Sequence, residues 1–354
     1  MSYYTRLENL PLKIESYELE PHELQVSSGM NRLTTEVVLT GGGHEGRGED
    51  VSYGDEDQLA LQAAPRDLPL AFAGTFGEFS NLIGSLDTFP KPPTSEDYRN
   101  YRRWAFESAA LDLALRQAGV SFDQAVGNPY QPVRFVLSLR LGEPPSFDRV
   151  GDWLTAVPSL EFKLDAESSW SRELMTRLAE TSSVESIDLK GLYHGSPVDQ
   201  PPDPELYAAV LELFPTQWIE DPAIDDDTRA IITPALDRVT WDAPIHSVAD
   251  IKALEHTPRG LNIKPSRFGA LSELLAAVEF CEQHQIQMYS GGQFELSVGR
   301  EQLHAIASAF FPEGPNDVAP VEFHSGVPSP DVPTSPLAPP VDPQGFRWRH
   351  ANAS

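Results

Sequence analysis

The chain has 354 residues, 40% of them hydrophobic, and a formal net charge of −27. That length predicts about two domains with an ample core, and the charge argues against nucleic acid and anionic membranes as partners. The acid surplus favours solubility or growth in salt, and a local need for cations. No run is long and apolar enough for a transmembrane helix, and MSYYTRLENL reads as neither a signal nor a transit peptide. Cys281 is the only cysteine. A disulfide framework and a thiolate zinc site are thereby excluded, and a reducing cytoplasm is the expected compartment.

Residues 12–53 alternate apolar and polar positions through LKIESYELEP, RLTTEVVLTG and HEGRGEDVSY, which predicts three antiparallel strands with a tight turn in GGGHEGRG. Helical patterns follow near 74–86 and 95–118. In the second, Trp104, Ala105, Ser108, Ala109, Leu111, Asp112 and Leu115 fall near one face, and Gly119 stops the helix. Its small residues predict close packing against another element. An α+β domain is expected over 1–127.

From position 133 the texture changes. Short apolar runs recur (VRFVLSLRL, LEFKLD, VESIDLK, QWIE, RVTWD, GLNIK, IQMYS, VEFHS), and helical patterns such as SRELMTRLAET, DPELYAAVLELF and ALSELLAAVEFCEQH separate most of them. Strands alternating with helices predict βαβ units and a parallel sheet, and eight strands in this length predict a TIM-type barrel over 128–326. An open doubly wound sheet usually carries a Gly-rich turn after its first strand, and none is present. The Pro-rich segment 327–354 cannot continue a helix or a central strand. It is expected to run extended over the surface or the first domain, anchored by Phe346 and Trp348.

Functional residues of a TIM-type barrel sit at the carboxyl ends of its strands. Those ends read Lys163 and Asp165, Asp188 and Lys190, Glu220, Asp242, then Lys264. Residues two apart on a strand share a face, so Lys163 shares one with Asp165, and Asp188 with Lys190. Taken singly, each has a plain structural reading: Asp188 and Asp242 as caps, Glu220-Asp221-Pro222 as a turn, Lys264 as an exposed strand end. Taken together, charges on five successive strand ends make sense if they converge on a cation and on one another. Asp188, Glu220 and Asp242 are three hard oxygen ligands of the kind that hold Mg²⁺, and a lysine beside a metal and another lysine is suited to general-base work.

These stretches resemble the enolase superfamily, and within it the muconate-lactonizing-enzyme-like subgroup of the mandelate racemase/muconate lactonizing enzyme family. The resemblance rests on RLTTEVVLTG, GRGED and FESAALDLALRQAG in the first domain, and on EFKLD, IDLKG, WIEDP, WDAP, LNIKPSRFG and MYSGGQFELSVGR in the second. It implies an α+β capping domain over a modified (β/α)7β barrel. It also implies removal of a proton α to a carboxylate, with Asp188, Glu220 and Asp242 on Mg²⁺ and Lys264 as acid/base.

The departures bear on the chemistry. The family's second strand usually reads Lys-x-Lys, and here it is Lys163-Leu164-Asp165. Its third usually reads Asp-x-Asn, and here it is Asp188-Leu189-Lys190; its fifth, usually Asp-Glu, is Asp242-Ala243. Lys163 or Lys190 is expected to be the second acid/base or its electrostatic helper: Lys190 either takes the role of the missing lysine, with Asp165 as counterion, or forms a buried pair with Asp165 in a site without two-base chemistry. The expected function is therefore an isomerase or lyase: racemisation or epimerisation, cycloisomerisation, or syn-dehydration of the succinylbenzoate-synthase type. Loss of the second-strand lysine shifts weight towards one-base chemistry. The alternative is a protein that binds a metal or a small acid and has lost that chemistry. Arg32 in the first loop, and Ser290, Gln293 and Glu295 after the seventh strand, are expected to contact substrate. The expected partner is a small carboxylate, with neither nucleic acid nor a membrane involved and homo-oligomer formation left open.

Overall fold

Four strands, rather than three, arise from the alternating segment at the start of the chain: β1 (Pro11–Ile14), β2 (Ser16–Gln25), β3 (Asn31–Gly41) and β4 (His44–Asp50). In this computed structural model, which describes residues 2–348 apart from 28, 196 and 197, LKIESYELEP divides at the exposed Glu15. Its second half joins the antiparallel sheet β2-β3-β4, and β1 pairs instead with β5 (Phe72–Thr75). A four-residue partner far along the chain leaves no periodic signal near β1. Helices α1 (Tyr3–Leu7), α2 (Asp55–Ala63), α3 (Phe76–Ser85) and α4 (Tyr98–Ala118) complete this half.

The helix α4 lies directly on β4, and glycine is the reason. A Cβ on Gly46 would stand 2.3 Å from Ala109 O, and one on Gly48 2.1 Å from Ala105 O. With no side chain on that face, Ala105, Ser108, Ala109 and Leu113 of α4 are buried against the sheet.

The second half is a curled parallel sheet of seven strands in sequential order: β6 (Leu137–Leu139), β7 (Phe162–Asp165), β8 (Val184–Asp188), β9 (Trp218–Glu220), β10 (Val239–Trp241), β11 (Gly260–Ile263) and β12 (Gln287–Ser290). VEFHS does not form an eighth strand; Val321–Phe323 is a 3-10 turn. Asn316 and Asp317 take that place as a short rung, bridging in parallel to Phe135 just before β6 and to Gly291 just after β12. The expected α/β architecture, a modified (β/α)7β barrel beside an N-terminal α+β domain, is what the chain adopts. No helix among the described residues is long and apolar enough to cross a membrane.

The Pro-rich segment runs back across both halves. Leu337 bridges Val133, Gly345 bridges Ser121, and Phe346 and Trp348 are fully buried. Between them Arg347 donates from Nε to Asp112 Oδ2 of α4 at 2.7 Å.

Acidic residues number 53 against 26 basic, and only six are lysines. Like-charge repulsion over the exterior is strongest where screening is weakest. The melting temperature should climb between about 0.1 M KCl, where the screening length is roughly 10 Å, and about 1 M, where it is roughly 3 Å. A flat or falling curve would remove surface repulsion from the stability balance.

Candidate metal and acid–base centre

Parallel pairing sets Asp165, Asp188 and Glu220 on one rung, because Asp165 is the register partner of Asp188 and Asp188 that of Glu220. Thr240 partners Glu220, so Asp242 lies two residues further on, and Lys264 directly follows β11. These side chains gather at the carboxyl ends of the strands and are almost wholly enclosed: Asp188, Glu220 and Asp242 have no exposure and Lys264 has 7%.

Each carboxylate there has several donors. Glu220 accepts from Lys163 Nζ and Tyr289 OH, with Asn262 Nδ2 at 3.3 Å. Asp242 accepts from Arg267 Nη1 at 2.7 Å on Oδ1, and on Oδ2 from Tyr193 OH at 2.7 Å and Lys264 Nζ at 2.8 Å. Asp188 Oδ2 meets two ammonium groups, Lys190 Nζ and, at 3.2 Å, Lys163 Nζ. Lys163 turns away from its neighbour Asp165 and also faces Asp317 at 3.5 Å. Asp165 is held instead by Arg140 Nε at 3.0 Å and by Lys190 Nζ at 3.4 Å, so the Asp165–Lys190 pair is formed.

Asp221 lies among these groups as well. Its backbone has a left-handed φ of +47°, and its carboxylate accepts from the N–H groups of Asp242 at 2.9 Å and Ala243 at 2.8 Å. Glu220, Asp221 and Asp242 each offer an oxygen within 4.8 Å of the others. Asp188 is not one of that mutually close trio, but its carboxyl is within hydrogen-bonding reach of Glu220 as well as of the two lysines.

Protonation follows the same division. Burial opposes ionisation of Asp188 and Asp242, yet Lys190 and Lys163 hold the first below the usual carboxylate range, and Arg267 and Lys264 do so for the second. Glu220 is pushed well up, by burial and by Asp188, Asp242 and Asp221, against the pull of Lys163. Asp221 is pushed up to about 7 by burial and by Asp242 and Asp188. Positive charge is thus short at Glu220 and Asp221, where three hard oxygen donors are close together. The donor set fits a divalent cation that prefers oxygen ligands. A second cluster, Glu20, His22 and Glu36, is already served by Arg47, which donates to Glu20 at 2.8 Å and to Glu36.

Gly291 makes room for the lysine. A Cβ there would sit 2.5 Å from Lys264 Cε and 2.4 Å from Asn262 Oδ1. Of the other residues expected to contact substrate, Ser290 lies in the barrel wall, with its N–H donating to Asn316 Oδ1 at 2.7 Å. Gln293 bridges the two halves, donating to Tyr101 OH at 3.1 Å and accepting from Tyr53 OH at 3.0 Å. Glu295 accepts from Gln293 N at 2.6 Å and pairs with Arg300 at 2.8 Å. Arg32 is buried, and its donors end on the carbonyls of Leu33, Val51, Ser52, Gln293 and Phe294. The contacts to Gln293 and Phe294 tie the first half to the loop after β12, and the other three fix the guanidinium within the first half.

Residues absent from the expected set are Asp221, Asn262, Arg267, Tyr193, Tyr289 and Asp317. Asn262 was findable, since it lies two positions before Lys264 and so shares its face. Arg267 lies within NIKPSR, one helical turn beyond the lysine. Tyr193, Tyr289 and Asp317 reach the centre by tertiary folding and leave no local pattern.

A (β/α)7β barrel beside an α+β domain is the fold of solved members of the enolase superfamily. A solved member from Listeria innocua superposes with a TM-score of 0.65 at 16% identity, covering 96% of this chain and 93% of that one. The chain belongs to the family described as domain of unknown function DUF8230, whose N-terminal domain matches residues 5–125 and whose C-terminal domain matches residues 129–325. It is 26% identical over 261 residues to the o-succinylbenzoate synthase of Bacillus subtilis, across 64% of this chain and 62% of that protein. It is 27% identical over 231 residues to an N-succinylamino acid racemase of Amycolatopsis sp, across 61% and 60%. The chain thus aligns with under two thirds of the length of each of these two relatives.

Arg32→Ala would leave a buried loop without its tether. It should lower stability by about 3 kcal/mol, the scale of breaking a buried charged network. Chemical denaturation checks this; an unchanged unfolding free energy would show that the five carbonyl contacts hold nothing together.

Proposed function

We propose that the chain is a Mg²⁺-dependent enzyme that removes a proton α to a carboxylate and dehydrates its substrate in the manner of o-succinylbenzoate synthase. The observation that supports the choice is that Lys264, unlike Lys163 and Lys190, meets a single carboxylate. Lys264 makes its contact with a single carboxylate, at 2.8 Å, and keeps some exposure. Lys163 is sealed at 1% exposure among Glu220, Asp188 and Asp317. Lys190 is clamped between Asp188 and Asp165, and the second-strand position itself is Asp165. Racemisation needs a base on each face of the α-carbon, whereas syn-elimination runs with one.

Glu220 and Asp242, joined by Asp188 or Asp221, are the residues that would hold the ion. A bound Mg²⁺ supplies positive charge beside the substrate carboxylate. Lys264 takes the α-proton, and the electron pair moves into the carboxylate. The β-hydroxyl then leaves with the proton returned from the same lysine, as water. Arg267 and Tyr193 keep Asp242 oriented meanwhile. Serving a small acid in the reducing cytoplasm agrees with a lone cysteine that is buried.

Two variants test this. Glu220→Gln should weaken Mg²⁺ binding in calorimetry by about tenfold or more, and unchanged affinity would place the ion elsewhere. Lys264→Ala should bind Mg²⁺ as wild type does and lose on the order of 10³-fold in α-proton exchange with deuterated water and in o-succinylbenzoate formation. Exchange at the wild-type rate would mean another base. Racemisation of N-succinyl amino acids as fast as dehydration would overturn the one-base reading.

A further inference from the structure

Lys190 holds Asp188 from both ends of one residue. Its N–H donates to Asp188 Oδ1 at 3.0 Å, and its ammonium folds back onto Oδ2. The fold-back requires a left-handed backbone, and Lys190 adopts φ +51°, a region that side-chain-bearing residues enter at a cost. The ammonium is then fixed on its other sides by Asp165 at 3.4 Å and by the Tyr193 ring, whose centroid is 5.0 Å away. Arg140 holds Asp165 in turn. This is a built arrangement, with strain accepted at one backbone position to keep one charge in place.

Its consequence is electrostatic. Two ion-paired networks, Arg140, Lys190 and Lys163 with Asp165, Asp188, Glu220 and Asp317, and Lys264 and Arg267 with Asp242, set five cations against five carboxylates, and Asp221, in neither network, makes six. Counted with every group ionised, Asp221 among the carboxylates, the set is one positive charge short of balance before any ion enters. A divalent cation must compete with protein donors for oxygens at Asp188, Glu220 and Asp242 alike, and at Asp188 one residue, Lys190, occupies both oxygens.

We propose that Lys190 is a resident competitor for the metal: a positioning residue that keeps Asp188 off the ion and sets the site to bind Mg²⁺ weakly and reversibly. The proposal rests on the metal reading above. In this chain the carboxylates stay paired and folded without the ion, because a lysine does part of the ion's work. Substrate, bringing its own negative charge, then restores the balance that Mg²⁺ upsets, so metal and substrate should strengthen one another's binding.

The test is calorimetric titration of Mg²⁺, without substrate, into wild type, Lys190→Gln and Lys190→Arg. Lys190→Gln should bind Mg²⁺ about tenfold more tightly or better, since a buried positive charge has left the site. Lys190→Arg keeps the charge and should stay near wild type. Thermal melting gives a second readout: without Mg²⁺, Lys190→Gln should melt below wild type, and saturating Mg²⁺ should raise its melting temperature by more than it raises that of wild type. If wild type binds Mg²⁺ and Lys190→Gln binds it equally or less tightly, the competition is overturned while the metal reading stands. If neither protein binds Mg²⁺, both fall. Binding by Lys190→Gln alone is the proposal in its strongest form.

Discussion

Carboxylates at the end of a barrel can be enclosed only if each meets a positive charge or a donor, and that requirement organises this molecule. Asp188, Glu220 and Asp242 have no exposure. An unpaired carboxylate in such a place would cost several kcal/mol, which no single packing contact offsets. Three of the chain's six lysines are drawn to this small volume, and Arg267 with them. The strand register, the glycine at 291 and the strained backbone at Lys190 serve to bring opposite charges within hydrogen-bonding reach, and the strained backbone at Asp221 brings its carboxylate to two amides.

The same rule governs the seam between the halves. Glu49 at the end of β4 is buried, and its carboxylate accepts from the N–H groups of Leu296, Ser297 and Gly299 at the start of the helix Val298–Phe310. Those are among the donors a helix leaves unsatisfied in its first turn. Arg32 answers from the other side by donating to the carbonyls of Gln293 and Phe294. One loop is therefore held by an anion on its amides and a cation on its carbonyls, both supplied by the first half. The loop leads directly from β12, so the position of the first half bears on the wall beside Lys264.

The strand ends were legible in the sequence because period, spacing and charge agree there: apolar runs end in acids and lysines at the interval a parallel barrel imposes. The matching of charges was not. Reading Lys163 with Asp165 assumed that neighbours on one face meet, but a long side chain in a closed barrel reaches across to Glu220. Asp221 looked like part of a turn before Pro222, and its role depends on a positive φ and on two amides of the next strand. VEFHS has the composition of a strand, whereas the rung that closes the barrel, Asn316 and Asp317, lies in PNDVAP beside two prolines. Ring closure selected that short rung through Asn316, which donates to Arg134 O and accepts from Ser290 N. Local propensity contains none of this.

On the function proposed above, a strongly acidic protein that takes an acid has a difficulty of approach. With a net charge of −27, the exterior repels an anionic substrate at distances beyond contact. Two features work against that repulsion. Salt screens the exterior within a few ångströms at high ionic strength, while the enclosed centre is screened far less. The centre itself is close to neutral, because lysine and arginine side chains have been concentrated there and the exterior left with few lysines. Near-neutrality also makes the site responsive: one dication turns its net charge positive, and one carboxylate turns it back. Were the centre as acidic as the surface, an ion would bind and stay without drawing in an anion; were it fully balanced, the ion would have no reason to enter. A deficit of one charge lies between these cases, and the chain reaches it with Lys190 where a neutral side chain would leave two.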